Sequence, residues 1–127
     1  MSYYIFNRSR IQIIKRWELT LPKDPVVFRT RIGMVPDSWE WGGDGSTFVV
    51  LIKSEDGKVA ELFRQHISND ESDRYWHPVE ISLNSYANQR VSLSLQTEPG
   101  PAGDVTGDWA IWDRPGIWWE TETSLGW

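Results

Sequence analysis

The chain carries few of the side-chain combinations that enzymes use. Its two histidines, His66 and His77, share no motif with a serine or a carboxylate, and cysteine is absent. No nucleophile elbow, phosphate-binding loop or zinc pattern is present. A carboxylate pair such as Glu40 with Asp44 would suit glycoside chemistry, but such pairs arise easily by chance in a chain this charged. The sequence therefore favours a protein that is not an enzyme, with a glycoside hydrolase as a minor alternative.

Tryptophan is the residue type that stands out, with nine copies in 127 residues. An exposed indole offers a flat apolar surface on which the C–H face of a sugar can stack. Trp118 and Trp119 are adjacent, so in a strand their rings point to opposite faces. One of these two rings must therefore contact something other than the main core.

The residues expected to contact a ligand combine exposed aromatic rings with nearby polar groups. Trp39 and Trp41 flank a carboxylate in a predicted loop, and Trp118 is the third candidate for stacking. Asp44 and Arg74 are the expected polar partners, because sugar hydroxyls hydrogen-bond to charged and amide side chains. Loop packing or a protein interface is the alternative interpretation of these aromatic residues.

Three other tryptophans are expected in the core. Trp17, Trp76 and Trp112 lie in or beside strand patterns, where large apolar side chains are usually buried.

Apolar and polar residues alternate with a period of two almost throughout, which indicates β-strands. The segments with this pattern, or with a continuous β-branched run, are 16–21, 28–34, 47–52, 59–67, 79–83, 91–96, 110–112 and 117–119. Turn-forming residues separate them, and only 82–89 favours a short helical turn. About eight strands of this kind predict a single all-β domain over 1–127, an antiparallel sandwich or barrel. Its core is expected at about 10–119, with 120–127 as a last strand or a tail.

The charge and hydropathy of the chain exclude several classes of partner. The net charge is −5, and Arg8, Arg10, Lys15 and Arg16 form only a short basic cluster, so a nucleic-acid partner is not expected. No stretch approaches the roughly 20 apolar residues of a membrane span, and the N-terminus lacks a signal-peptide pattern. An extracytoplasmic or cell-surface location is favoured, with the domain as part of a longer chain.

Three segments, taken in order, resemble the bacterial galactose-binding-like jelly-roll modules. They are residues 35–50, residues 76–91 and residues 107–117. These modules include sugar-binding modules beside glycoside hydrolases and soluble domains attached to membrane glycosyltransferases. The resemblance spans residues 17–119 and implies a jelly-roll β-sandwich of about eight antiparallel strands. Asn88 stands where such modules usually have glycine, and asparagine tolerates the left-handed conformation that a tight turn needs.

The same resemblance implies a structural calcium ion. Such modules often hold Ca²⁺ with an aspartate near the last strands, which corresponds to Asp108 in this sequence. Calcium takes six to eight oxygen ligands, so Asp108 alone does not make a site. A hydrogen bond that caps a loop is the alternative role for Asp108.

Two functions are therefore weighed for the chain. The first is a non-catalytic carbohydrate-binding or accessory module of a larger carbohydrate-active or cell-surface protein. The second is a protein-interaction or structural module whose exposed aromatic residues are buried against a neighbouring domain or a second copy.

Overall fold

The computed structural model describes residues 2–6, 12–34, 45–68, 75–99 and 109–119. Eight β-strands occupy most of this part of the chain. They are Ser2–Phe6 (β1), Gln12–Thr20 (β2), Val26–Met34 (β3), Ser46–Lys53 (β4), Val59–Ile67 (β5), His77–Ser82 (β6), Arg90–Pro99 (β7) and Trp109–Trp119 (β8). A single 3₁₀ turn, Asn84–Tyr86, fills the predicted helical segment before β7.

The strands form two four-stranded antiparallel sheets. The first sheet has the order β1-β8-β3-β6 and the second has the order β2-β7-β4-β5. The partners are nested, because β1 pairs with β8, β2 with β7, β3 with β6 and β4 with β5. This is the pairing expected when one long hairpin is folded across two sheets, as in a jelly roll. The predicted all-β sandwich of about eight antiparallel strands is confirmed.

The core lies between the sheets and is made by alternate residues of each strand. Phe48 of β4 meets the edge of Trp112 of β8, with ring centroids 5.2 Å apart. The indole N–H of Trp112 is satisfied inside the core, since Nε1 donates to Thr97 Oγ1 over 3.1 Å. Trp17 of β2 packs against Phe28 of β3 at 5.9 Å. Aromatic edge contacts of this kind add to the stability that burial provides.

Trp112 and Trp17 contact the core as predicted, but the prediction for Trp76 is wrong. Trp76 is 40% exposed. It directly precedes β6 and lies on the outer side of the first sheet, where its six-membered ring covers Gly33 of β3. A glycine leaves room there for an indole that the core does not take in.

The long connections of the chain begin and end at one end of the sandwich. Ser46 pairs with both Ile67 and Pro99, and Met34 pairs with Ala110. Strand ends that flank the segments 35–44, 69–74 and 100–108 therefore lie at the same end. Every predicted site residue except Trp118 belongs to one of these segments.

Short turns close the opposite end. Asn88 has φ 64°, which confirms the left-handed turn expected at this position. Asn84 fixes the start of β3, because its Oδ1 accepts the backbone N–H of Val26 over 3.1 Å.

Gly45 begins the stretch that leads into β4, and it accepts no side chain. Its φ is 86°, and a Cβ placed there would lie 1.9 Å from the carbonyl oxygen of Ile67. Just before β4, the backbone at Gly45 therefore approaches Ile67 of β5 more closely than a residue with a side chain would permit.

Candidate functional site

A bulge in β8 opens a groove on the outer face of the first sheet. Arg29 of β3 faces Gly116, whereas Arg31 faces Asp113, so β8 holds two residues opposite a single residue of β3. Bulges of this kind bend a strand and redirect its side chains.

Arg114 and Pro115 are the two residues of β8 that lie opposite Thr30. Proline has no N–H to donate to the ladder, and Arg114 adopts φ 44°. Thr30 partly replaces the missing backbone pairing, since its Oγ1 donates to the carbonyl oxygen of Asp113 over 2.8 Å. This hydrogen bond holds the bulge against β3.

The groove has a volume of about 580 Å³ and is lined by three neighbouring strands. Its sides come from Arg29 and Arg31 of β3, Pro78 and Glu80 of β6, and Asp113 and Trp118 of β8. The volume falls in the range of small-ligand sites, and the mixture of an indole, a proline and charged groups suits a ligand with both apolar and polar faces.

Trp118 forms the aromatic wall of this groove. It is half-buried and pairs with Val27 across the β3–β8 ladder. Its side chain lies on the outer side of the sheet and is not part of the core between the sheets. The indole lies close to Gly116, where a Cβ would come within 3.4 Å of Nε1 of Trp118. The neighbouring Ile117 packs against the core instead. Trp118 is therefore the member of the Trp118–Trp119 pair known to contact something other than the main core.

Arg31 is held in place from two sides. Oδ2 of Asp113 accepts hydrogen bonds from its Nε, over 2.8 Å, and from its Nη2. The guanidinium carbon lies 4.9 Å from the centroid of the Trp76 ring, which is cation–π distance. Asp113 has a side chain only 11% exposed, so the ion pair is partly shielded from water.

The other two arginines of the groove also lie beside carboxylates, and only Arg114 is more exposed than Arg31. Arg29 forms an ion pair with Glu80 across the β3–β6 ladder at 3.1 Å. Arg114 directs its Nε toward Oδ1 of Asp113 at 3.6 Å, and its side chain is 70% exposed. Asp113 thus lies between two guanidinium groups and orients both of them.

The outer face of the second sheet has a different character. Arg64 of β5 donates hydrogen bonds to both carboxylate oxygens of Glu61 and to both of Glu98. Gln96 donates to Glu98 over 2.8 Å. The Arg64 hydrogen bonds lower the pKa of Glu61 and, with a further contribution from Gln96, the pKa of Glu98, and they raise the pKa of Arg64. Arg64, Glu61 and Glu98 therefore bind one another on this face.

Most of the predicted site residues cannot be compared with the groove. Trp39, Trp41, Asp44, Arg74 and Asp108 lie outside the described residues, and their roles stay predictions. Trp118 pairs with Val27 of β3, which lies seven residues before Met34, the last residue of that strand. At the usual rise per residue, these seven residues span about 23 Å.

The residues that surround Trp118 were not singled out in the sequence. Arg29 and Arg31 alternate with Phe28, Thr30 and Ile32, so the sequence placed them on the outer face of β3. Their convergence with Trp118 depends on cross-strand register and on the β8 bulge, which alternation does not reveal. Within the described ranges, no group of three histidine, aspartate or glutamate side chains is arranged to hold a metal ion. None of the helical segments described is long and apolar enough to cross a membrane.

Comparisons with known proteins support the fold but identify no family. No protein-family model matches the chain. A protein of Archaeoglobus fulgidus, named only "Uncharacterized protein", is 35% identical over 118 residues, which are 91% of this chain and 29% of that protein. The chain thus spans less than a third of this relative's length.

A solved structure named "EclA C-terminal domain; sugar-binding protein" is similar to this chain in fold. The TM-score is 0.56 at 12% sequence identity, over 93% of this chain and 77% of the other. A second solved structure, from the Gt strain of infectious bursal disease virus, has a TM-score of 0.42, too low to carry an argument. What this chain shares with the EclA domain is the all-β sandwich, at a degree of identity that speaks to the fold alone.

Proposed function

We propose that the domain is a non-catalytic carbohydrate-binding module and that its site is the groove beside Trp118. The observation that carries the proposal is the half-buried indole over Gly116, facing a groove edged by charged side chains. A sugar ring has an apolar C–H face and a rim of hydroxyls. The indole would stack on the first, and the arginines and carboxylates of the groove would hydrogen-bond to the second.

The fold adds support from a different direction. The EclA domain, which is similar in architecture, is named a sugar-binding protein. Fold does not fix function, so this similarity raises the plausibility of the proposal without identifying a ligand.

The domain is further proposed to be a galactose-binding-like module of a longer protein at the cell surface. The support for a longer protein is that the matching stretch makes up only 29% of the Archaeoglobus fulgidus relative. The galactose-binding-like type rests on the motif resemblance of the sequence. A structural calcium ion at Asp108 is part of this proposal. It predicts that EDTA lowers the unfolding temperature and that added Ca²⁺ restores it, whereas an unchanged temperature would remove calcium from the account.

The test of sugar binding combines a glycan panel with two matched variants. Calorimetry and tryptophan fluorescence are recorded for the native domain, for Trp118→Ala and for Tyr75→Ala. Tyr75 is 58% exposed and does not line the groove, so it controls for the loss of an exposed aromatic ring. We expect Trp118→Ala to weaken binding about tenfold or more, as the loss of a stacking ring worth about 1.4 kcal/mol would do.

Two results would contradict this proposal. If no glycan on the panel binds at millimolar concentration, the domain is not a carbohydrate-binding module. If glycans bind and both variants bind as well as the native domain, the site lies away from the groove.

A protein-interaction module is the second candidate, favoured by two adjacent exposed aromatic residues. Tyr75 and Trp76 are 58% and 40% exposed and lie beside the edge strand β6. Exposed aromatic residues at a sheet edge suit association with a second copy or a neighbouring domain. This candidate predicts a dimer or larger species in light scattering, shifted to monomer by Trp76→Ser. A native domain that is monomeric at high concentration would argue against self-association.

A further inference from the structure

The groove beside Trp118 concentrates positive charge on an acidic chain. Three guanidinium groups and two carboxylates line it, whereas the whole chain has a net charge of −5. A local excess of cations in a concave surface attracts an anionic group from solution.

Two of the three arginines are already bound to carboxylates. Arg31 is fixed by Asp113 and by the Trp76 ring, and Arg29 forms its ion pair with Glu80. These two ion pairs build the wall of the groove and neutralise both of its carboxylates.

Arg114 is the most loosely paired of the three cations, since its ion pair with Asp113 is the longest of the three. The 3.6 Å between its Nε and Oδ1 of Asp113 exceeds hydrogen-bonding distance, and Asp113 already accepts from Arg31. The side chain is 70% exposed, so its planar donor groups face water. A guanidinium in this situation can bind an oxyanion through two parallel hydrogen bonds.

The backbone of Arg114 is strained. Its φ of 44° lies in the left-handed region, which costs a residue with a side chain energy that glycine does not pay. The following Pro115 also disfavours helical dihedrals at the residue before it. Glycine would relieve this strain, and arginine at this point of the bulge places a charge at the rim of the groove. Local strain of this kind is typical of functional sites.

We infer that the groove recognises an anionic saccharide, with the sugar ring on Trp118 and its carboxylate or sulfate group on the guanidinium of Arg114. The inference rests on the proposed function, since it assigns a class of ligand to the same groove. Arg31 and Asp113 act as positioning residues, because Asp113 holds the bulge from which Arg114 projects.

The experiment compares sugars that differ only in charge. The probes are oligomers of galacturonate, mannuronate and glucuronate, the methyl ester of each, and a sulfated neutral oligosaccharide, measured by calorimetry at 50 and 500 mM NaCl. The variants are Arg114→Gly, Arg114→Lys and Lys58→Gln. Lys58 has a side chain 86% exposed and lies outside the groove, so the last variant removes the same charge elsewhere.

We expect at least one charged oligomer to bind ten times more tightly than its uncharged counterpart, with a preference that shrinks at high salt. Arg114→Gly should abolish the preference and unfold at the same or a higher temperature, because glycine relieves the strained backbone. Arg114→Lys should retain part of the preference, and Lys58→Gln all of it. The uronate and sulfate arms identify which anionic group is recognised.

Three outcomes would overturn the inference. If esters and acids bind equally, or if only neutral glycans bind, the domain is a carbohydrate-binding module without preference for charge. If the preference survives in Arg114→Gly, another cation reads the anion. If no sugar of either kind binds, the proposed function fails and this inference fails with it.

Discussion

The two outer faces of the sandwich use the same residue types in opposite ways. On the second sheet, Arg64 donates hydrogen bonds to both Glu61 and Glu98, so these three charged groups are bound to one another. On the first sheet, Arg31 and Arg114 share the single carboxylate of Asp113, so the cations outnumber their partners. The comparison indicates that ion pairs alone do not mark a site, whereas an excess of cations beside the half-buried Trp118 ring supports the proposed groove.

The bulge in β8 accompanies the groove beside Trp118 on the outer face of the first sheet. Strand β8 gains one residue relative to β3 where Arg114 and Pro115 lie opposite Thr30, and the groove lies there. The β4–β5 ladder also has an irregularity, between Val50 and Leu51. Nearby on that face, Arg64 and its two glutamates are bound to one another. The irregularity in the β4–β5 ladder thus lies near a cluster of ion pairs, whereas the bulge of β8 lies beside the groove that Trp118 lines.

The largest difference in stability is expected between the two central arginines. Arg31→Met would leave Asp113, whose side chain is 11% exposed, without its main hydrogen-bond donor, at a cost of about 2 kcal/mol. Arg64→Met should cause a smaller loss, of about 1 kcal/mol or less, because Glu98, whose side chain is 17% exposed, still accepts a hydrogen bond from Gln96 over 2.8 Å. Urea unfolding of both variants measures the difference. Equal losses would mean that the two faces do not differ in how strongly they hold their charges.

Alternation in the sequence was sufficient to predict most of the sandwich. In β7, apolar Val91, Leu93 and Leu95 are buried, and the residues between them form the outer face, as period two requires. The left-handed conformation of Asn88 was expected because asparagine tolerates it at a position where the similar modules usually have glycine. These features are local, so they can be read from neighbouring positions in the chain.

Features that depend on distant pairings escaped the sequence. Residues 110–112 and 117–119 were taken as separate runs because Pro115 and Gly116 interrupt the apolar pattern, yet β8 is one strand with a bulge. Strand β1 was not recognised, and it is fixed by its pairing with β8. The groove likewise requires the β3–β8 register, which brings together residues more than 80 positions apart.

The second prediction concerns pH and belongs to the second sheet. The Arg64 hydrogen bonds, with help from Gln96, hold the pKa of Glu98 below its ordinary value of 4.5. A carboxyl group whose pKa is lower in the folded state stabilises the fold above its unfolded-state pKa, and this stabilisation is lost as the pH falls through the folded-state value.

The measurement is the unfolding temperature from pH 7 to pH 3. At neutral pH the native domain should unfold at a higher temperature than Arg64→Met, by a difference equivalent to less than about 1 kcal/mol of stability. This difference in unfolding temperature should shrink below about pH 4.5. Arg31→Met supplies the comparison from the first sheet. An advantage of the native domain over Arg64→Met that is constant down to pH 3 would show that Glu98 does not contribute through its charge.

The smallest effects are expected from two glycines that each lie beneath an indole of the first sheet. A Cβ at Gly116 would be 3.4 Å from Nε1 of Trp118, and a Cβ at Gly33 would be 3.3 Å from Cε3 of Trp76. In Gly33→Ala the Trp76 ring must therefore move by a few tenths of an ångström, whereas in Gly116→Ala the new methyl group reaches van der Waals contact with the Trp118 ring. Alanine also has less conformational freedom than glycine in the unfolded chain, which stabilises the fold by about 0.4–1 kcal/mol and offsets the cost of crowding at the ring. The free energy of unfolding of both variants should therefore lie within about 0.5 kcal/mol of that of the native domain.

Ligand affinity should separate the two glycine variants although their stabilities match. Gly116→Ala adds a methyl group against the ring that lines the groove and is expected to weaken glycan binding severalfold, because stacking depends on a close fit between ring and sugar. Gly33→Ala displaces Trp76, which does not line the groove, and should bind within about twofold of the native domain. Calorimetry with the tightest glycan of the panel decides between them. A loss of affinity confined to Gly33→Ala would move the stacking ring from Trp118 to Trp76, and with it the centre of the site toward the edge strand β6.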